Sequence, residues 1–89
     1  MIVDSTPGFR QNLRRVRDAG LRSRIDRKIT EIQVAATITE VSNISRLRSA
    51  SRNHYRIRIG EHRIGVVVEG DTATLVRFAH RREFYRGFP

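Results

Sequence analysis

The sequence predicts an α+β domain: a two-helix hairpin packed on a small antiparallel β-sheet. Three observations carry this prediction. Apolar residues recur at helical spacing through the first 36 positions. The period then changes to strict alternation at His54-Tyr55-Arg56-Ile57-Arg58-Ile59. Two glycine turns, Gly60-Glu61 and Gly70-Asp71, divide the rest into a three-stranded meander. Helices followed by a meander define the class. The 89 residues suit a single domain over 1–89, with no internal repeat or linker.

The elements follow in order. Met1 to Ser5 carries β-branched residues and suits a short strand. Thr6-Pro7 is a helix start, with Thr6 as N-cap and Pro7 in the first turn. Phe9, Leu13 and Val16 continue it, and Gly20 is the expected stop. Leu21, Ile25, Ile29, Ile32 and Ala36 make one apolar stripe of a second helix. Its polar face carries Arg22, Arg24, Asp26, Arg27, Lys28 and Glu31, which reads as a solvated surface. Residues 37–53 are a polar, irregular link, anchored by Val41, Ile44 and Leu47. Strands then run over 54–59, 62–68 and 72–79.

Charge is the strongest compositional signal. Eighteen basic residues oppose nine acidic ones, a net +9. Only Lys28 among those cations is a lysine. Arginine gives planar, bidentate contact to phosphate and carboxylate. The partner implied is a polyanion: RNA, DNA or an acidic protein. The absence of Cys excludes a disulfide scaffold, a Cys-ligated zinc finger and a thiol nucleophile. Apolar runs such as Val66-Val67-Val68 are far short of a membrane span, and Met1-Ile2-Val3-Asp4 has no signal-peptide character. The expected setting is the cytoplasm, with no membrane partner.

A two-residue loop at Gly60-Glu61 fixes the hairpin register. Arg58 then faces Arg63, Ile57 faces Ile64 and Arg56 faces Gly65. Tyr55, Ile57, Ile59, Ile64, Val66 and Val68 share the core face. His54, Arg56, Arg58 and Arg63 share the other. Like charges directly opposite on a sheet are destabilising. Folding alone gives no reason for three arginines there, whereas phosphate binding does. Continued alternation adds Arg77 and Arg81 to that face, with Val76 and Phe78 inward. The segment His80-Arg81-Arg82-Glu83-Phe84-Tyr85-Arg86 adds imidazole, guanidinium and phenol groups beside it. Phe84 and Phe88 are expected to anchor this tail against the helices. Arginine can hold a scissile phosphate and its developing charge, and histidine can move protons. The acidic residues are scattered and the three histidines lack ligand spacing, so a metal site and a cofactor are not expected.

Taken together, the helical pair, the Tyr55–Ile64 block and the His80–Arg86 block resemble the RelE/ParE toxin superfamily, and its RelE branch in particular. The resemblance spans essentially the whole chain. It implies a metal-free endoribonuclease that cuts mRNA in the ribosomal A site. The 2′-hydroxyl would attack the neighbouring phosphate and leave a 2′,3′-cyclic phosphate. Positions matching Arg56 and Arg58 contact or activate RNA in RelE-type toxins. Those matching Arg63 and Arg81 bind phosphate and assist the leaving group. A tyrosine matching Tyr85 stacks on or orients the base. Some members carry lysine where Arg56 and Arg58 stand, and arginine is a poor base at neutral pH. His80 or His54 is then the compensating group. Arg77, Arg82, Arg86 and His54 complete the expected RNA-binding set, and Arg14, Arg15, Arg22, Arg24 and Arg27 offer phosphate contacts to ribosomal RNA. The implied partners are an acidic antitoxin, the ribosome and mRNA. Two other classes fit the superfamily: a ParE-like inhibitor of gyrase, and a catalytically weak binding module for the antitoxin.

Overall fold

The computed structural model describes residues 1–48 and 53–88. Strand β1 (Ile2–Ser5) leads into α1 (Pro7–Arg14) and α2 (Ala19–Val34). A 3-10 turn (Ile38–Glu40) and β2 (Ile44–Arg46) follow. Then come β3 (His54–Ile59), β4 (His62–Glu69), β5 (Thr72–His80) and the short α3 (Arg81–Phe84).

Thr6 caps α1 as expected: its hydroxyl accepts from the Phe9 amide at 3.2 Å. Gly20 does not end α1. The helix closes at Arg14, and Gly20 lies in the first turn of α2 behind a different cap. That cap is Asp18, whose carboxylate accepts from the Leu21 amide at 3.1 Å. A side-chain acceptor three residues before a free amide outweighs the modest helix penalty of one glycine. Ile25 and Ile32 are fully buried, while Ala36 lies beyond the helix and is exposed.

Lys28 is not on a solvated face. It is buried, and its ammonium donates to Glu31 Oε1 (2.8 Å), Ser42 O (2.9 Å) and Ser42 Oγ (2.8 Å). The Glu31 carboxylate also accepts from the Ser42 amide. The Lys28 hydrogen bond, ahead of the Ser42 bonds, holds Glu31 below its ordinary value of 4.5. This pair fastens the link to α2. Three hydrogen bonds make burying the ammonium affordable.

The sheet has five strands in the order β1-β5-β4-β3-β2. The β3–β4 register is the one the turn dictates: Ile59↔His62, Arg58↔Arg63, Ile57↔Ile64, Arg56↔Gly65 and Tyr55↔Val66. Gly60 has φ 57°, which suits the first central position of a type II′ turn. Two pairings depart from a purely antiparallel meander. β1 joins β5 in parallel, and the link contributes β2 against β3. Positions 49–52 of that link lie outside the described residues.

Alternation also breaks once in β5. Gly65 pairs with Arg77 but Val66 pairs with Leu75, so Val76 is the extra residue of a bulge. Leu75 takes the inward place expected of Val76, while Phe78 remains inward; both are buried. Phe9, Ile25, Ile32, Ile57, Ile59, Ile64, Val66 and Leu75 form the core between sheet and helices.

The tail runs over the opposite face of the sheet, away from α1 and α2. Phe84 and Phe88 are buried there, outside the main core cluster. A Cβ on Gly65 would stand 2.9 Å from the Phe88 ring. Glycine at this outward position leaves the space that Phe88 fills, which is why the aromatics settle here.

Candidate nucleic-acid interface

The Arg58 amide donates to Asn43 O at 3.0 Å, toward β2. Arg58 and Arg63 are therefore a non-hydrogen-bonded pair across β3 and β4, the closer kind. Their guanidinium groups have different surroundings. Arg63 Nη1 folds back onto the turn, donating to Gly60 O (3.0 Å) and His62 O (2.9 Å). The Arg58 side chain makes no such bond among the described residues and is exposed.

The turn also seizes the start of α3. The Arg81 amide donates to Glu61 O at 2.8 Å, and Arg81 Nε lies 2.8 Å from Glu61 Oε2. Both side chains are more than half exposed, so water screens the ion pair and its bond is weak. Arg58, Arg63 and Arg81 thus converge on an open basin of about 420 Å³, bordered also by Asn43, Gly60, Glu61 and Arg24. Four guanidinium groups face one carboxylate there.

Arg56 and Tyr85 meet beside the basin. Arg56 Nη1 donates to the Tyr85 hydroxyl, and the guanidinium carbon lies 5.7 Å from the ring centroid. Arg56 shares a smaller recess with Arg58 and Arg63, lined by Asn43, Ile44 and Ser45. Tyr85 is about half exposed and stands edge-on to Phe84 at 5.0 Å. The buried phenylalanine holds the tyrosine at the surface.

Other expected site residues are placed elsewhere. Arg77 is on the arginine face, but the tail covers it. Its Nη2 donates to Glu83 O at 3.1 Å, and its Nε is buried without a hydrogen-bond partner. A Cβ on Gly87 would stand 2.7 Å from this guanidinium. Arg77 supports the tail and does not border the basin. Arg82 and Arg86 are exposed along α3 and after it, with Arg86 paired to Glu83 at 3.2 Å. His54 lies on the outer face with its ring 5.4 Å from Phe88.

His80 points away from the basin. Its Nδ1 accepts from the Arg82 amide at 3.2 Å, so it caps α3. Its ring stands edge-on to His62 at 5.5 Å, and His62 stacks on Phe78 at 5.1 Å. Burial, then the charges of His80 and Arg24, hold His62 below its ordinary value of 6.5. These rings border a crevice of about 540 Å³ between the α1–α2 turn and the end of β5.

Sequence reasoning placed Arg24 among phosphate contacts to ribosomal RNA and not in the basin, and it missed Asn43 altogether. Arg24 lies 34 positions before Arg58 on what reads as a solvated helix face. Asn43 adopts φ 61°, and nothing local in the polar link marks it for that role. No group of three or more His, Asp or Glu side chains comes together among the described residues. No described helix is long and apolar enough to cross a membrane.

No family model matches the chain. A curated relative, Toxin RelE3 of Methanocaldococcus jannaschii, is 36% identical over 69 residues, covering 78% of each chain. Among solved structures, the RelB-RelE antitoxin-toxin complex from Methanococcus jannaschii matches with a TM-score of 0.81 and 32% identity, over 97% of this chain and 99% of that one. The intact RelBE toxin-antitoxin complex of E. coli matches with a TM-score of 0.71 over 89% and 94% of the two chains. At 16% identity, that likeness is one of fold alone. Sequence identity across most of both chains, together with the shared α+β architecture, gives the conclusion that this chain belongs to the RelE family of toxins of toxin–antitoxin systems.

Proposed function

We propose that this chain is a ribosome-dependent endoribonuclease that cuts mRNA in the A site without a metal ion. The observation that carries the reading is the convergence of Arg58, Arg63 and Arg81 on one open basin from three separate elements. In the proposed reaction the RNA 2′-oxygen attacks the adjacent phosphorus. The P–O2′ bond forms as the 2′ proton passes to water, the P–O5′ bond breaks as O5′ takes a proton from water, and a 2′,3′-cyclic phosphate and a 5′-hydroxyl result. Charge builds on the non-bridging oxygens, where preorganised guanidinium groups stabilise it most. Arg63 is already held by two carbonyls, so little reorganisation is needed when phosphate arrives. Phosphate displaces Glu61 from Arg81, an exchange that costs little for a solvated pair.

Arg56 holds Tyr85 where its ring can stack on an exposed base. Arginines keep their protons at neutral pH, so they act here through charge. His54 shares this face but heads β3, four residues from Arg58 and with its ring against Phe88, so it is assigned to binding RNA beyond the basin and not to the 2′ proton. His80 acts at one remove, capping the helix that opens with Arg81 and leads to Tyr85. The partner in the resting cell is an acidic antitoxin covering the basic face, in the cytoplasm. The RelB-RelE antitoxin-toxin complex from Methanococcus jannaschii, similar at 32% identity, supports an antitoxin partner.

The test is primer extension on mRNA bound to purified programmed ribosomes, with a ribosome-free control. Wild type should cut at the A-site codon, and Arg58→Ala and Arg81→Ala should not. Absence of any cut, with cells still arrested on expression, overturns the nuclease reading.

A further inference from the structure

The basin does not end at the β-hairpin. Arg24, Asn43 and Arg58 also line an adjoining recess of about 210 Å³, whose other walls are Ile59 and, from α2, Arg27, Lys28 and the Glu31 carboxylate that Lys28 and Ser42 already engage. Asn43 and Arg58 line the recess beside Arg56 as well. The three hollows adjoin one another, since Asn43 and Arg58 line all of them. Together they trace a groove that starts on the arginine face, turns past Asn43 and continues along α2.

Two backbone features keep the groove open. Asn43 takes a left-handed conformation that few side chains tolerate, and its carbonyl is fixed by the Arg58 amide. Gly60 has positive φ, and a Cβ there would stand 3.1 Å from Arg24 Nη1. The bare turn lets the Arg24 guanidinium lie against it. Arg24 also contributes to the depressed pKa of His62, in keeping with that placement.

The charges on α2 divide into spent and available. Lys28 is committed to Glu31 and Ser42, and Arg22 lies 3.7 Å from Asp26. Arg24 and Arg27 have no carboxylate partner among the described residues. They are three residues apart, so they stand on one side of the helix. Free guanidinium groups along a groove that leaves a phosphate site suit the next phosphate of the same strand.

We propose that Arg24 and Arg27 form a second phosphate subsite, reached around the Gly60 turn. It holds the RNA backbone one or two nucleotides from the scissile phosphate. The subsite rests on the nuclease reading for its substrate. Its ligand is single-stranded RNA, and Arg24 positions the strand so that the scissile phosphate sits among Arg58, Arg63 and Arg81.

The test compares two uncleavable RNAs carrying a 2′-deoxy residue at the cut position: a dinucleotide with one phosphate, and a hexanucleotide. Binding to the full chain is read by fluorescence anisotropy or NMR titration over a range of salt. Arg24→Ala and Arg27→Ala should each weaken the hexanucleotide about 3- to 10-fold. Each should also reduce its salt slope by roughly 0.7, the amount for one single-strand phosphate contact. The dinucleotide should be unaffected by Arg27→Ala, which lies outside the basin, and should lose less than the hexanucleotide in Arg24→Ala, because Arg24 also borders the basin. Arg10→Ala, which removes one charge from α1, controls for net charge. Equal weakening of both RNAs by the α2 variants, or weakening no greater than that from Arg10→Ala, overturns the subsite. So does wild type that fails to bind the hexanucleotide more tightly than the dinucleotide. A deficit confined to ribosome cleavage, with normal hexanucleotide binding, also overturns it and assigns the two arginines to ribosomal RNA. Arg24-dependent binding by a wild type that never cuts on ribosomes would sustain the groove and remove the nuclease.

Discussion

The two faces of the sheet solve different problems with the same strands. Under the helices, Ile57, Ile64 and Val66 are wholly buried and interlock with Ile25 and Ile32. On the other face, the alternate positions Arg56, Arg58 and Arg63 stay at least partly in solvent. That outer face is itself divided. One part is roofed by Phe84 and Phe88, and the other is left open as the arginine basin. Period-two alternation lets one hairpin supply stability on one side and charge on the other. The tail then lends the charged side enough apolar support to present Tyr85 and Arg81.

Neighbouring substitutions on β3 and β4 should separate these roles. Ile64→Ala should cost about 2–5 kcal/mol of folding stability, because it opens a cavity among fully buried side chains. Urea unfolding measures this directly. Arg58→Ala should leave the urea midpoint unchanged or raise it, since it removes a like-charge contact with Arg63. The same variant should lose about 10²-fold or more in cleavage rate on programmed ribosomes. A large stability loss in Arg58→Ala would break the comparison, by showing that the charged face also carries the fold.

The roofed part of the outer face should show an intermediate effect. Gly65→Ala places a methyl against the Phe88 ring, which must move. The expected cost is about 1–3 kcal/mol, the usual range for overpacking. Because Phe88 and Phe84 pack together at 5.3 Å, the shift should reach Tyr85. Cleavage should therefore fall along with stability, unlike in Arg58→Ala. Unchanged stability would place Phe88 away from Gly65 in solution.

How far the sequence reveals this arrangement depends on how local each cause is. The β3–β4 pairing follows from a two-residue turn, so facing arginines are legible from spacing alone. Thr6 at the head of α1 is equally local. The β5 bulge is not, because Val76 is displaced by the way the strand meets β4. The tail's seat is not legible either, since Phe88 needs the gap at Gly65, 23 positions earlier. Lys28 looks like any surface lysine until Ser42 is folded against it. Arg24 joins the basin only after α2 is laid across the hairpin turn. The arginine face is thus readable where it is a hairpin, and hidden where it is assembled from distant elements.

The smallest expected effect lies at the boundary between the faces, where His62 packs on Phe78 beside His80. Burial is the main cause of its lowered pKa; the charges of His80, Arg24 and Arg63 add to it, and Glu61 opposes. A lowered pKa means that the folded state binds this proton less readily than the unfolded state. The associated stability is complete above the ordinary value of 6.5 and is lost as pH falls through the folded value below it. The lowered pKa of Glu31 has the same sign but acts in a more acidic window, below its ordinary 4.5. Thermal unfolding from about pH 7 to about pH 5 isolates the histidine contribution. Wild type should lose melting temperature across that interval, and His62→Phe, which keeps an aromatic ring against Phe78, should lose less. Parallel curves for the two proteins would mean that His62 titrates alike in both states. The β4–β5 end would then be open to water, and the apolar face would stop short of it.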